Sequence, residues 1–304
     1  MNIAILGAGG VGGYYGGTLA RAGNRVALVA RGAHLEALRE RGLEVRTPEG
    51  TFTVAVEAVE EAEALRGIEL AVVAVKSYSL AEIAPAARLL AERGAVVVPL
   101  LNGVEAADRL IAAGVPDEQV LGGLTGISAV RIGPGIVERR SPFQRVVVGE
   151  REGGISERAE RIAAAFREAG AEARASDDIT VDLWRKFAFI TTMSAACGLA
   201  RTSIGPVREA SLGNLLIERA LREVIAVARA HGVALPADAE ADVLALVSGM
   251  PSAMKPSFLL DLEAGGSTEL DDLSGAVSRL GRQAGVETPV HDVATAALGA
   301  GRGI

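Results

Sequence analysis

Apolar positions along the first half of the chain come in short unbroken runs. Residues 2–6 (NIAIL), 25–30 (RVALVA), 70–75 (LAVVAV) and 95–99 (AVVVP) are each five or six positions long and bounded by turn residues. Runs of that length predict strands buried on both faces, as in a parallel sheet with helices on either side. Helical stretches fall between them, from about residue 10 to 21 and from 81 to 93, where Pro85 is tolerable only near the first turn. Residues 50–56 follow the turn Thr47-Pro48-Glu49-Gly50 and predict an antiparallel or edge strand. Residues 120–128 and 144–149 supply further strands, and a helix over 155–169 closes this half.

Beyond about residue 176 the strand signals stop. Residues 182–200 are mostly apolar, with Arg185 and Lys186 embedded. Gly205-Pro206 opens a long predicted helix to about residue 231, and others are expected over 238–247, 256–263, 270–283 and 289–298. The division predicts an α/β domain over 1–175 and an all-helical domain over 176–304.

Glycine explains how the first strand ends. Gly7-Ala8-Gly9-Gly10-Val11-Gly12 is G-x-G-x-x-G set between a strand and a helix, with a second strand beginning at Arg25. In such a βαβ unit Gly7 makes the tight turn, Gly9 lets a pyrophosphate approach the backbone, and Gly12 permits close helix–strand packing. The phosphates would sit over the helix N-terminus. The N-terminal domain is therefore predicted to be a Rossmann-type dinucleotide-binding domain, with Gly7, Ala8, Gly9, Gly10, Val11 and Gly12 against the cofactor.

The second strand ends in Arg31, and no carboxylate appears before Glu36. A carboxylate there would repel a 2′-phosphate, whereas a guanidinium grips one, so the expected cofactor is NADPH/NADP+. The alternative is an ordinary solvated arginine. His34, on the following helix, is expected at the surface or rim. Lys76 and Asn102 each follow a predicted strand, where ligands of open parallel sheets bind. Lys76 could donate a charged hydrogen bond to substrate or cofactor, and Asn102 could donate and accept near the nicotinamide.

Composition narrows the remaining classes. With 49% apolar residues the chain can build a substantial core, and 304 residues accommodate two domains. A net charge of −7, 3% aromatics and no basic tract argue against a nucleic-acid partner. The single cysteine, Cys197, permits no intrachain disulfide and suits a cytoplasmic location. The uncharged first twenty residues lack a basic n-region and are broken by glycine, so they are expected to be folded protein rather than a signal peptide. No apolar run is long enough to span a bilayer, so no membrane partner is expected. The apolar helices leave a homodimer open. Three scattered histidines, including His231 and His291, lack metal-ligand spacing, and no metal site is expected.

Lys186 stands among Trp184, Phe187, Ala188, Phe189 and Ile190. Partial desolvation there would lower its pKa and suit proton transfer; the alternative is an ammonium that snorkels to water. Ser267 or Thr268 could cap the helix expected from 270, with Asp271 or Asp272 in its first turn. Glu269 would then lie at the helix mouth, facing a cleft or simply complementing the helix dipole.

These pieces together, GAGGVG, LVARG, VAVKSY, LLNGV, LWRKFAF, PSFLLDLEAGGSTELDDLSG and GRQAGVETP, resemble the ketopantoate reductases (2-dehydropantoate 2-reductases) over nearly the whole length. The resemblance implies NADPH-dependent reduction of 2-dehydropantoate to (R)-pantoate, on the route to pantothenate and coenzyme A, with the active site between the two domains. It implies that Lys186 is the catalytic general acid and that Glu269 binds the substrate hydroxyl. Asn102 is implied near nicotinamide and substrate, Lys76 as a ligand-holding lysine, Ser257 as a substrate-binding serine and Arg31 as the 2′-phosphate residue. Two positions depart from the family pattern. Ile190 stands where asparagine usually follows the lysine by four residues, with Ser194 one turn further on, and Ser274 replaces the asparagine of a later Asn-Gly. An unpaired polar group costs about 1–3 kcal/mol, enough to shift substrate preference. Another branched or bulkier 2-oxo acid is therefore an alternative substrate. A non-catalytic dinucleotide sensor is an alternative of a different class, which would have no use for Lys186 and Glu269.

Overall fold

In a computed structural model, residues 1–300 are described. They divide into two compact units: Met1–Leu101 with Glu105–Ile179, and Asn102–Val104 with the chain from Thr180. The first is a Rossmann-like α/β unit and the second is helical.

The first unit runs β1 (Asn2–Leu6), α1 (Gly10–Arg21), β2 (Arg25–Val29), α2 (Gly32–Arg41), β3 (Leu43–Thr47), β4 (Gly50–Val54), β5 (Glu57–Val59), β6 (Leu70–Val73), α3 (Leu80–Glu92), β7 (Val96–Pro99), α4 (Ala106–Ala112), β8 (Gly122–Gly126), β9 (Ala129–Gly133), β10 (Ile136–Arg139), β11 (Arg145–Gly149), α5 (Glu157–Glu168) and β12 (Glu172–Ser176). The main sheet is parallel throughout, in the order β5-β2-β1-β6-β7. Ile3 of β1 lies between Val26 and Leu70. Ile3 and Ile5 enter one apolar cluster and Ala4 and Leu6 the other, which is why residues 3–6 carry no polar position. Strand order reverses between β1 and β6, so the loops after these two strands flank the crevice where such sheets bind ligands.

A second sheet, β4-β3-β10-β9, and a third, β12-β11-β8, complete the unit. Strands β3, β5, β9, β10 and β12 are absent from the sequence expectation. In β3 and β12 charged residues alternate with buried ones, as in LEVRT, and β10 finds its parallel partner β3 some ninety residues earlier in the chain. Short half-buried strands of this kind are specified by their pairing more than by their own sequence.

The helical unit contains α6 (Ile179–Ala200), α7 (Ile204–Glu209), α8 (Gly213–Ala230), α9 (Ala239–Gly249), α10 (Ser257–Glu263), α11 (Ser274–Ala284) and α12 (Pro289–Gly299). Trp184 and Phe187 of α6 pack edge to face within its core. The single helix expected over 205–231 is two. Ala210 is extended, with ψ 144°, and a side chain on Gly213 would collide with the Val207 carbonyl, so the chain folds back between α7 and α8. The helix expected from 270 starts at Ser274, and residues 270–273 form turns instead.

Buried hydrogen bonds tie α8, α11 and α12 together. Glu223 accepts the N–H groups of Val290 (2.8 Å) and His291 (3.0 Å) at the start of α12. The fully buried His291 contacts the Ala220 carbonyl (2.9 Å) and Ser274 Oγ (3.1 Å). A carbonyl only accepts, so Nε2 carries the proton and Nδ1 accepts from the hydroxyl. Burial pushes this imidazole down to about 4. The unfolded chain takes up the same proton near 6.5, so stability is expected to fall as pH drops from about 6.5 to about 4, by about 3 kcal/mol. Above 6.5 the group contributes no slope. Denaturant melts from pH 4 to 7 check this: His291→Gln should flatten the acid limb, and an unchanged difference from wild type across that range would contradict it.

Candidate active site

In the first unit, Gly7 has φ +107°, and a side chain there would strike Val75. The β1–α1 turn thus passes directly over the end of β6, and only glycine adopts that backbone without strain. At Gly12 a side chain would meet the Gly7 carbonyl and Ile5, so α1 lies close on β1. Gly9 caps α1 with an extended backbone and no side-chain hydrogen bond, and the first turn carries no acidic residue. A Cβ added at Gly9 meets nothing within 4 Å. Open space over an uncapped helix N-terminus, free of negative side chains, fits the pyrophosphate of a dinucleotide.

His34 holds this loop from behind. It is buried on α2 rather than at the surface or rim, which corrects the sequence expectation. Nδ1 accepts the Gly135 N–H (2.9 Å), so Nε2 carries the proton and donates to the Ala8 carbonyl (2.9 Å). Desolvation, aided by Arg131, lowers its pKa and keeps the ring neutral. A histidine three residues past Arg31 gave no sequence signal of this role, because Gly135 is brought to it by the unforeseen β3–β10 pairing. Arg31 is exposed at the N-terminus of α2, beyond β2, and Lys76 is exposed beyond β6.

The helical unit gathers Lys186, Asn102 and Glu269. Lys186 Nζ donates to Asn102 Oδ1 (3.0 Å), and Asn102 Nδ2 donates to Glu269 Oε2 (3.0 Å). An ammonium only donates and a carboxylate only accepts, so the two partners fix which end of the amide faces which. Gly103, at φ +96°, turns the chain beside the Asp272 carbonyl, and a side chain there would stand 3.2 Å from it. Glu269 is buried and precedes a turn in which Asp272 N–H reaches the Glu269 carbonyl and Gly275 N–H the Leu270 carbonyl. It is therefore not at a helix mouth, and dipole placement at α11 does not account for it. Lys186 is half-buried; desolvation lowers its pKa to about 8, and Glu269 opposes that shift. Burial is the larger of the two effects.

Other expected residues stand outside this bonded set. Ser194 is buried, and its hydroxyl donates to the Ile190 carbonyl (2.7 Å) of its own helix. Ser257 is exposed at the first turn of α10. Ile190, half-buried, lies one turn beyond Lys186 on the same side of α6. Ser274 is buried against His291. Among the described residues no cluster of His, Cys, Asp and Glu could hold a metal ion, and no helix is long and apolar enough to cross a membrane.

A Rossmann-like unit with a glycine-rich phosphate cradle and a lysine-centred helical unit defines an NAD(P)-dependent oxidoreductase. Family profiles sharpen this: residues 3–153 match "Ketopantoate reductase PanE/ApbA" and residues 178–301 match its C-terminal part. The chain belongs to the ketopantoate reductase family. It is 32% identical over 294 residues to the 2-dehydropantoate 2-reductase of Halobacterium salinarum, covering 95% of each chain. A crystal structure of a PanE/ApbA family ketopantoate reductase from Ralstonia eutropha superposes with TM-score 0.89 at 31% identity, covering 99% of this chain and 98% of that one. A ternary structure of D-mandelate dehydrogenase with NADH and anilino(oxo)acetate superposes with TM-score 0.89 at 26% identity, over 99% and 98%.

Proposed function

We propose that this protein reduces 2-dehydropantoate to (R)-pantoate with NADPH, in the supply of pantothenate and coenzyme A. The observation that carries the proposal is Lys186 hydrogen-bonded through Asn102 to the buried Glu269, with its ammonium poised near 8. When bound, the reduced nicotinamide supplies hydride to C2 of the 2-oxo acid. Lys186 stabilises the negative charge that develops on the ketone oxygen and hands that oxygen a proton. Asn102 holds the ammonium in place, and Glu269 accepts a hydrogen bond from the substrate hydroxyl. Gly7 to Gly12, Arg31, Lys76 and Asn102 hold the cofactor. Ser257 is assigned to the substrate. Ser194, whose hydroxyl proton is given to the Ile190 carbonyl, is assigned to the substrate as an acceptor.

A second substrate reading follows from Ile190. Its side chain offers apolar contact, and no hydrogen bond, one turn from Lys186, which favours a 2-oxo acid with a branched or aromatic substituent. The structural likeness to a D-mandelate dehydrogenase points the same way. Steady-state NADPH oxidation with 2-dehydropantoate beside 3-methyl-2-oxobutanoate and phenylglyoxylate decides between them. The 2-dehydropantoate proposal requires the highest kcat/KM for that substrate.

Arg31 at the end of β2, with no carboxylate nearby in sequence, supports NADPH over NADH. Arg31→Ala is expected to raise the KM for NADPH by about tenfold, the loss of a charge-assisted contact at an exposed site. The KM for NADH should hardly move. Equal changes for both cofactors would rule out a 2′-phosphate contact.

A further inference from the structure

A groove of about 570 Å³ runs along the C-terminal half of α1, lined by Tyr14, Thr18, Arg21, Phe52, Arg139 and Gln144. Its size is that of a small-molecule site, and neither the reductase chemistry nor the cofactor cradle uses these side chains. Among the lining residues is Arg139, the last residue of β10, only 4% exposed. Nη1 donates to the Ser141 carbonyl (2.6 Å), Nη2 meets the Glu49 carboxylate, and Nε is buried with no hydrogen-bond partner. The guanidinium carbon stands 5.8 Å from the centre of the Tyr14 ring.

The anionic partner of this buried cation is the unusual part. Glu49 sits in the tight turn between β3 and β4, and its side chain is 65% exposed. A buried guanidinium needs an anion, but here the anion is supplied by a residue whose side chain is mostly in water. Arg139 holds the Glu49 carboxyl below the usual carboxylate range, so at neutral pH the plug is a carboxylate. Apolar contact is available beside it from Phe52, whose ring carries Arg21 4.5 Å above its centre, and from Pro142. Glu168, Ala22 at the C-terminus of α1 and Ala169 at the C-terminus of α5 also line the groove, and this carboxylate and these carbonyl ends disfavour a second negative group.

We propose that this groove is a second small-molecule site, for a monocarboxylate whose carboxylate replaces that of Glu49 on Arg139 and whose apolar body lies against Phe52 and Pro142. Glu49 acts as a tethered internal competitor, so its removal strengthens binding while loss of Arg139 abolishes it. A reductase site for a 2-oxo acid would also take carboxylates, but it would respond to neither residue.

Isothermal titration of the full chain with 3-methylbutanoate tests this, with inorganic phosphate and methylammonium titrated in parallel. The expected result is weak saturable binding to wild type, about tenfold tighter binding to Glu49→Ala, and none to Arg139→Met at this site. Phosphate should bind more weakly than the carboxylate, and methylammonium should not bind. Equal carboxylate affinity in wild type and Glu49→Ala, or no binding to Glu49→Ala at all, overturns the proposal. Tighter binding of phosphate than of carboxylate overturns the ligand class. Should Arg139→Met not fold, the Glu49→Ala comparison decides alone.

Discussion

Lys186→Met is expected to lower kcat for 2-oxo acid reduction by about 10²–10⁴-fold, the loss typical of a positioned general acid, with NADPH affinity nearly unchanged. The methionine keeps most of the apolar stem and removes the ammonium. The pH dependence in wild type supplies an independent check. Reduction needs the protonated amine, so kcat should decline as pH rises through about 8, while oxidation of the hydroxy acid, which needs the neutral amine, should gain over the same range. Stability should move oppositely to activity. Desolvation makes the folded Lys186 give up its proton near 8, whereas the unfolded chain holds it to about 10.4. The unfolded state therefore binds more protons between those values, and stability should rise with pH across that window. Below 8 the full cost of the buried charge applies, up to about 3 kcal/mol, so Lys186→Met should melt higher than wild type at pH 7. A lysine whose charge snorkels to water would give the reverse: unchanged turnover per folded molecule and no gain in stability. The readouts are kcat, KM and melting temperature for the variant, with pH–rate profiles in both directions for wild type.

How much of this was legible in the sequence depended on whether a feature was local. The β1–α1–β2 unit could be read because its determinants lie within thirty residues: a double-faced apolar run, glycines at fixed spacing, and a second run. Lys186 could be singled out because an ammonium among aromatics on an apolar helix is locally anomalous. Its partner Glu269 was named with the wrong geometry. Leu270 to Leu273 have adequate helix propensity, but Leu270 O is taken by Gly275 N–H and Glu269 O by Asp272 N–H, and these turns delay the helix to Ser274. The bridge through Asn102 joins positions 84 and 167 residues apart, and no periodicity reports such a bridge. His34 was misplaced for the same reason. Its burial depends on Gly135, which reaches it only through β10 pairing with β3. Ser194 shows the opposite failure: its spacing from Lys186 is right for a shared helix face, yet its hydroxyl is taken up by the backbone one turn earlier.

Gly9→Val is expected to abolish NADPH binding while leaving the fold intact, and the structure separates these two effects. At Gly7 or Gly12 a side chain would strike the protein itself, so substitutions there would lower stability and affinity together. At Gly9 the added Cβ meets nothing within 4 Å, and the backbone is extended, at φ −75° and ψ −156°, outside the left-handed region that favours glycine. The volume a valine would fill is the space over the first turn of α1, where a pyrophosphate must approach the N–H groups within about 3 Å to be held. The branched side chain would stand in that approach. The expected result is a melting temperature close to wild type in the absence of cofactor, no thermal shift on adding NADPH, and at least a hundredfold weaker binding, about 2.7 kcal/mol. Gly9→Ala should fall between, because a single methyl intrudes less. The same helix provides the control: Gly23, which follows α1 and has nothing near its Cβ direction, lies at the opposite end from Gly9. Its φ of +91° disfavours a side chain, so Gly23→Ala should cost stability without altering NADPH affinity. Fluorescence titration of NADPH and thermal melts on the three variants give both quantities. Wild-type NADPH affinity in Gly9→Val would remove the pyrophosphate from this turn.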